Sequence, residues 1–252
     1  EFLFHLSQAG DSGELGEALA TTGTELVQAG HMELFSILDS VDKDSVDDSA
    51  WPVILELRAN ILSMQGNWSE AESYYNEAIE MLGSSKKEEL IRARIKSSLA
   101  DISVTIGKAD EALALHKEAL ESFIKLNDPR GAARTYNNMG YIYRRQRNDK
   151  RALEVYANVE QLLESEDDPE LVESRIKLAS AFLEMGENDR AKEHAFLAHD
   201  ETNEGGSAAL QARSRAVLGR YYAKTGDREL ALHHYTGALD GLSEERDHHA
   251  EV

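Results

Sequence analysis

The sequence predicts an all-α chain, an α-solenoid of stacked helix–turn–helix hairpins. Three observations carry that prediction. A phrase recurs about every 40 residues, the small and bulky residues inside each copy keep helical spacing, and 252 residues hold three prolines. Proline interrupts helices, so its scarcity suits a chain made of them.

The phrase is clearest at "GNWSEAESYYNEAIEML", "GKADEALALHKEALESF" and "GDRELALHHYTGALDGL", which begin at Gly66, Gly107 and Gly226. Five residues after each turn stands an alanine, giving the series Ala71, Ala112, Ala152, Ala191 and Ala231, with gaps of 41, 40, 39 and 40. Twelve residues before each alanine is a small residue: Ala59, Ala100, Gly140, Ala179 and Gly219. Four residues after it come Tyr75, His116, Tyr156, Ala195 and Tyr235. Spacings of three, four and seven mark one helix face, and Gly suits the position just past a helix end. Each unit therefore reads as two helices that cross closely at the small residues, with the aromatics filling the space where they splay. Pro52, Pro129 and Pro169 fall between hairpins, and "DDPE" reads as Asp168 capping a helix with Pro169 in its first turn.

Composition narrows function. A net charge of −20 argues against nucleic-acid binding, which needs clustered Lys and Arg. With no cysteine, disulfides and thiolate metal sites are excluded. No apolar run reaches the roughly 18 residues that span a bilayer, and no signal peptide is visible, so a cytoplasmic location and no membrane partner are expected. The chain begins with Glu1 rather than Met, as expected of a processed or excised piece.

The order small residue, aromatic, Gly-Asp/Asn turn, Ala, Tyr, Ala resembles the tetratricopeptide repeat (TPR), most strongly in "YNNMGYIYRRQRNDKRALEVY". That resemblance covers residues 49–252 as five repeats, near 50–90, 91–130, 131–169, 170–209 and 210–252, and implies a right-handed superhelix. The period near 40 exceeds the usual 34, so the second helix or the connecting loop is expected to be longer. Arg147 replaces the turn glycine of the third copy, and Ser103 replaces an aromatic in the second.

Residues 1–48 form a helical lead-in with atypical hairpins. "HLSQAGD", "ELVQAGHMELFSILDSV" and "LRANILSMQGNWSEA" resemble the junction in STAND-type regulatory ATPases of the maltose-regulon-activator kind. There, a nucleotide-binding module leads into a superhelical sensor arm. The resemblance implies signal transduction and transcription regulation, with this chain as the arm. The fifth hairpin finishes without a dedicated polar cap, so further repeats or self-association through that end are expected.

Catalytic signals are missing. "TIGKADEA" lacks the upstream glycine and the hydroxyl of a phosphate loop, and no nucleophile–base set stands out. His194 and His199 are five apart, on different helix faces, and the His248–His249 pair reads as a frayed acidic end. No enzyme activity, metal or cofactor is expected.

In the repeat register, the resemblance turns the first helix of each hairpin toward a groove. Its candidate binding residues are Asn60, Arg94, Asp101, Arg134, Asn137, Tyr141, Arg144, Arg145, Arg213, Arg220 and Lys224. Counting every inward position, seven basic residues face four acidic ones, reversing the sign of the chain as a whole. Arg134, Asn137, Tyr141 and Arg144 stand 3, 4 and 3 apart, one stripe expected to face solvent. Arginine forks and amides hold carboxylates or peptide backbone, so the groove is expected to take a protein or peptide partner, or a small anionic inducer. Pairing of these arginines with neighbouring acids is the competing reading. Outer acids such as Glu164 and Glu166 are expected to tolerate substitution. A free-standing adaptor for an acidic or extended peptide is the alternative to the STAND arm.

Overall fold

A computed structural model describes residues 18–19, 22–23, 26–27, 34–39, 41–163, 168–203 and 207–250, without the side chains of residues 35 and 45 and of those beyond 241. The expectations placed on Glu164 and Glu166, and most of the lead-in, lie outside these, whereas His248 and His249 stand in a helix that runs to Ala250 rather than in a frayed end, their side chains lying outside the description. The chain divides into two compact units, Glu1–Leu126 and Asn127–Val252.

The first unit holds α1 (Leu34–Asp39), α2 (Trp51–Met64), α3 (Trp68–Met81), α4 (Lys86–Thr105) and α5 (Ala109–Leu126). The second holds α6 (Pro129–Arg145), α7 (Asp149–Leu162), α8 (Pro169–Met185), α9 (Asn188–Asn203), α10 (Ala208–Thr225) and α11 (Arg228–Ala250). The described residues contain no strand, and no helix among them is long and apolar enough to cross a membrane. The fold is all-α, a solenoid of stacked TPR-like hairpins.

One turn geometry closes the five described hairpins. The N–H of Asn67 donates to Leu62 O at 2.8 Å, Lys108 to Ser103, Asn148 to Tyr143, Glu187 to Phe182 and Asp227 to Tyr222 at 2.8–2.9 Å. This six-to-one bond ends a helix on one left-handed residue. Gly66, Gly107, Gly186 and Gly226 supply it with φ between 81° and 95°, and Arg147 takes the same place at φ 60°. The carbonyls of Asn67, Lys108, Asn148, Glu187 and Asp227 then accept from the repeat alanines, starting the second helix.

The predicted seam is the packed one. Ala71, Ala112, Ala152 and Ala191 are fully buried, as are Ala59, Ala100 and Ala179 opposite them. Tyr75, His116 and Tyr156 are buried too. The long period is absorbed partly as expected, in an 18-residue α5, but the first helices are long as well, 20 residues in α4 and 17 in α6 and α8. Helix α4 begins at Lys86, ahead of the boundary near 91, because Ser85 and Glu88 form a reciprocal capping box. The prolines stand in the first turns of α2, α6 and α8, where a missing N–H is harmless.

In the first unit, Leu19, Val27, Leu34, Leu38 and Val41 join α2–α4 in one core. Arg58, lying 5.1 Å from the Trp51 ring, locks that junction by donating to the carbonyls of Leu38 and Val41. In the second unit, α11 leaves Leu232 and Leu239 each 68% exposed. This is the end where the sequence predicts self-association.

Candidate functional site

The site residues of the first unit each meet a partner within it. Arg94 grips Glu56 with two bonds, Nε to Oε1 at 2.9 Å and Nη2 to Oε2 at 2.7 Å. Asn60 Oδ1 accepts from Tyr75 Oη at 2.5 Å, so its role is to satisfy a buried phenol. Asp101 lies 3.5 Å from Nε2 of His116, the histidine that replaces tyrosine in this copy.

The second unit brings the remaining candidates onto a face shared by α6, α8 and α10, which pack side by side. Helix α8 forms its centre. Asp168 caps it by accepting from Glu170 N at 3.0 Å, which places the Glu170 carboxylate in the first turn, where the helix dipole favours negative charge. Arg134 Nε donates to Glu170 Oε1 at 2.8 Å. Asn137 Nδ2 donates to the Glu170 carbonyl at 2.9 Å and to Oε2 at 3.3 Å.

Asn137 therefore departs from the expected solvent-facing stripe. It is 1% exposed, because α8 starts beside it and its amide donates to both the backbone carbonyl and the carboxylate of Glu170. Arg134 stays about half exposed, whereas Arg144 is 22% exposed.

Two further glutamates of α8 organise the rest. Glu173 meets Lys177 at 3.0 Å and Arg213 at 2.5 Å. Glu184 receives Arg144 and, at 3.4 Å, Arg220. Lys224 donates to the Leu183 carbonyl in the last turn of α8. Tyr141 is 48% exposed with the Arg145 guanidinium 5.8 Å from its ring. Three carboxylates, Glu170, Glu173 and Glu184, thus stand among seven cations: Arg134, Arg144, Arg145, Lys177, Arg213, Arg220 and Lys224. Neighbouring acids do pair with these arginines, and a positive surplus survives the pairing.

Sequence reasoning missed Glu170 and Lys177. Neither occupies an inward position of the register, and the one available signal was the 36-residue step from Arg134 to Glu170, close to one repeat.

Burial would raise the pKa of Glu173, but Lys177 and Arg213 outweigh it and hold the carboxyl below its ordinary 4.5. A depressed carboxyl contributes stability above its unfolded value, which is lost as pH falls through the folded one. The melting-temperature gap between wild type and Glu173→Gln should therefore close as pH falls below 4.5. A gap that stays constant from pH 7 to 3 would sink this assignment.

Comparison with known proteins agrees with the fold. Residues 91–165 match the family model for the tetratricopeptide repeat. A search of curated proteins gives no match. BtubC (BKLC) of P. vanneervenii superimposes with a TM-score of 0.65 at 17% identity, covering 98% of this chain and 93% of that one. The STAND protein with a tetratricopeptide repeat sensor from Pyrococcus horikoshii gives 0.73 at 18% identity over 97% of this chain. This chain spans 36% of that protein's length. PilF of Pseudomonas aeruginosa gives 0.63 at 17% identity, over 93% of this chain and 98% of that one. At such identities the likeness is one of fold.

Proposed function

We propose that this chain is a non-catalytic binding module that holds an acidic or extended segment of a partner protein, or a small anionic inducer, on the α6–α8–α10 face. The observation that carries the reading is the sharing of Glu184 by Arg144 and Arg220. One carboxylate cannot saturate two guanidinium forks, so both retain donors for a second carboxylate. Exposed Tyr141 with Arg145 against it adds a flat surface for a side chain or peptide plane.

Screening an array of Asp- and Glu-rich peptides against the intact chain supplies the probe. Arg144→Ala and Arg220→Ala should each weaken the best peptide about tenfold, the scale of one charge-assisted hydrogen bond. Glu184→Gln should tighten it, because the two arginines lose their internal competitor. Raising salt should weaken it in every case, since exposed pairs are screened within about 8 Å at physiological ionic strength. If Glu184→Gln leaves the affinity unchanged, the face serves the fold alone.

A second reading makes the chain the sensor arm of a STAND-type switch, in which inducer binding favours one arm conformation and releases a nucleotide module. The likeness to the Pyrococcus horikoshii sensor, at a TM-score of 0.73, favours it, together with the lead-in phrases. A phosphate loop and winged helix encoded upstream in the same reading frame would support the arm; a frame lacking both would leave the adaptor.

A further inference from the structure

Helices α9, α10 and α11 border an open pocket of about 130 Å³ lined by His199, Arg215, His233, His234 and Gly237. It belongs to a different part of the second unit from the ion-paired face and owes nothing to the reading above. Its content is unusual for a chain with 47 acidic and 27 basic residues. Arg213 and Arg220, on the same helix, both meet glutamates. Among the described residues Arg215 meets no carboxylate, and it donates to the Gly237 carbonyl at 3.0 Å.

Gly237 makes that approach possible. A Cβ there would sit 2.9 Å from Arg215 Nη1, so any larger residue would push the guanidinium aside. The imidazoles are fixed with equal care. His234 stacks on Tyr222 with centroids 5.4 Å apart and planes 6° from parallel, and the His199 ring meets it edge-on at 5.7 Å. The Asn203 amide donates to His199 Nε2 at 3.2 Å, which puts the proton of the neutral ring on Nδ1. That Nδ1 is buried without an acceptor. A buried donor without a partner is unfavourable, and an acceptor from outside the chain would relieve it.

We propose that this pocket is a binding site for a small tetrahedral oxyanion of the phosphate or sulfate class, and that acid strengthens the binding. Basic side chains come from three helices, His199 from α9, Arg215 from α10 and His233 and His234 from α11. Arg215 provides the permanent charge. The five lining residues include no carboxylate, and no group of three His, Asp or Glu among the described residues is placed to hold a metal ion.

The pH dependence follows from the surroundings. Burial, then Arg215, holds His199 below the usual imidazole value, with Asp200 pulling the other way. Burial, His199, His233 and Arg215 do the same to His234, whose other neighbour, Tyr222, is uncharged at these pH values. Both rings are thus neutral at pH 7 and gain charge as pH falls. An anion between them favours the charged forms, so binding takes up protons.

Inorganic sulfate is the first probe, since it stays a dianion between pH 5.5 and 7.5, and inorganic phosphate is the second. The intact chain is titrated at constant ionic strength, with the histidine imidazoles followed by nitrogen-15 NMR. The expected result is saturable binding that shifts His199, His233 and His234 together. Its affinity should rise by up to about tenfold per pH unit for each proton taken up. Arg215→Gln should abolish saturation while leaving acidic-peptide binding on the α6–α8–α10 face unchanged. Gly237→Ala, which keeps every side-chain donor and displaces only the guanidinium, should weaken sulfate while preserving the helical circular dichroism. Absence of saturation at pH 5.5, affinity independent of pH, or equal binding by folded Gly237→Ala protein would each overturn the proposal.

Discussion

Replacing Gly140 by valine is expected to lower the unfolding free energy by about 3 kcal/mol, the upper part of the usual range for an overpacked core. A Cβ on Gly140 would stand 2.2 Å from Cε1 and 2.5 Å from Cζ of Tyr156. Tyr156 has nowhere to go. It is completely buried, and α8 is tied to its backbone by Ser174 Oγ, which donates to the Tyr156 carbonyl at 2.9 Å. Gly219 provides the control, because its Cβ would meet Tyr235 at 2.8 Å, yet Tyr235 is 37% exposed and can swing outward. Gly219→Val should therefore cost less than half as much. Chemical denaturation of both variants tests the pairing. Equal losses would mean that the tyrosines do not set the crossing distance.

Hairpin architecture was legible because it depends on short-range geometry that repeats. The glycine that must go left-handed, the alanine that must be small and the tyrosine that must fill a gap sit at fixed offsets, so five copies reinforce one another. Even the misfit at Arg147 was visible as a misfit. The structure adds that the turn imposes its conformation there, φ 60° with the same Asn148-to-Tyr143 bond, at the expense of roughly 1 kcal/mol or more of backbone strain.

The polar face was legible in composition and illegible in pairing. Arg134 and Arg144 of α6 and Arg213 and Arg220 of α10 stand on the two helices that flank α8. Their partners lie 36 to 40 residues away in sequence, and nothing local in a single chain says which glutamate each arginine meets. Asn137 illustrates the consequence: its spacing puts it on the stripe, but the cap at Asp168 decides that a carbonyl of α8 will lie against it. The network around Arg175 escaped notice for the same reason.

That network sets the other large effect. Arg175→Met is expected to cost about 3–5 kcal/mol near neutral pH, the range for breaking a buried ion pair by removing one partner. The side chains of Arg175 and Glu201 form an ion pair at 12% and 9% exposure, and Arg175 Nε also lies 3.6 Å from Glu160. Glu201 is badly placed without its partner. It occupies the last turns of α9, where the helix dipole already opposes negative charge. Methionine fills much of the arginine's volume, so the loss is chiefly that of the charge left unpaired on Glu201. An unpaired buried carboxyl has a raised folded pKa, so the penalty is full at neutral pH and shrinks as pH falls and the group takes up a proton. The double variant Arg175→Met/Glu201→Leu removes both charges and should recover most of the loss. His194 supplies an independent reporter. Burial holds its pKa down first, and Glu160 opposes that, while Arg175 adds to the lowering. Removing Arg175 should thus move the His194 titration upward toward its ordinary value of 6.5. A double variant no more stable than the single one, or a deficit that does not change between pH 8 and 5, would show that Arg175 acts through packing alone.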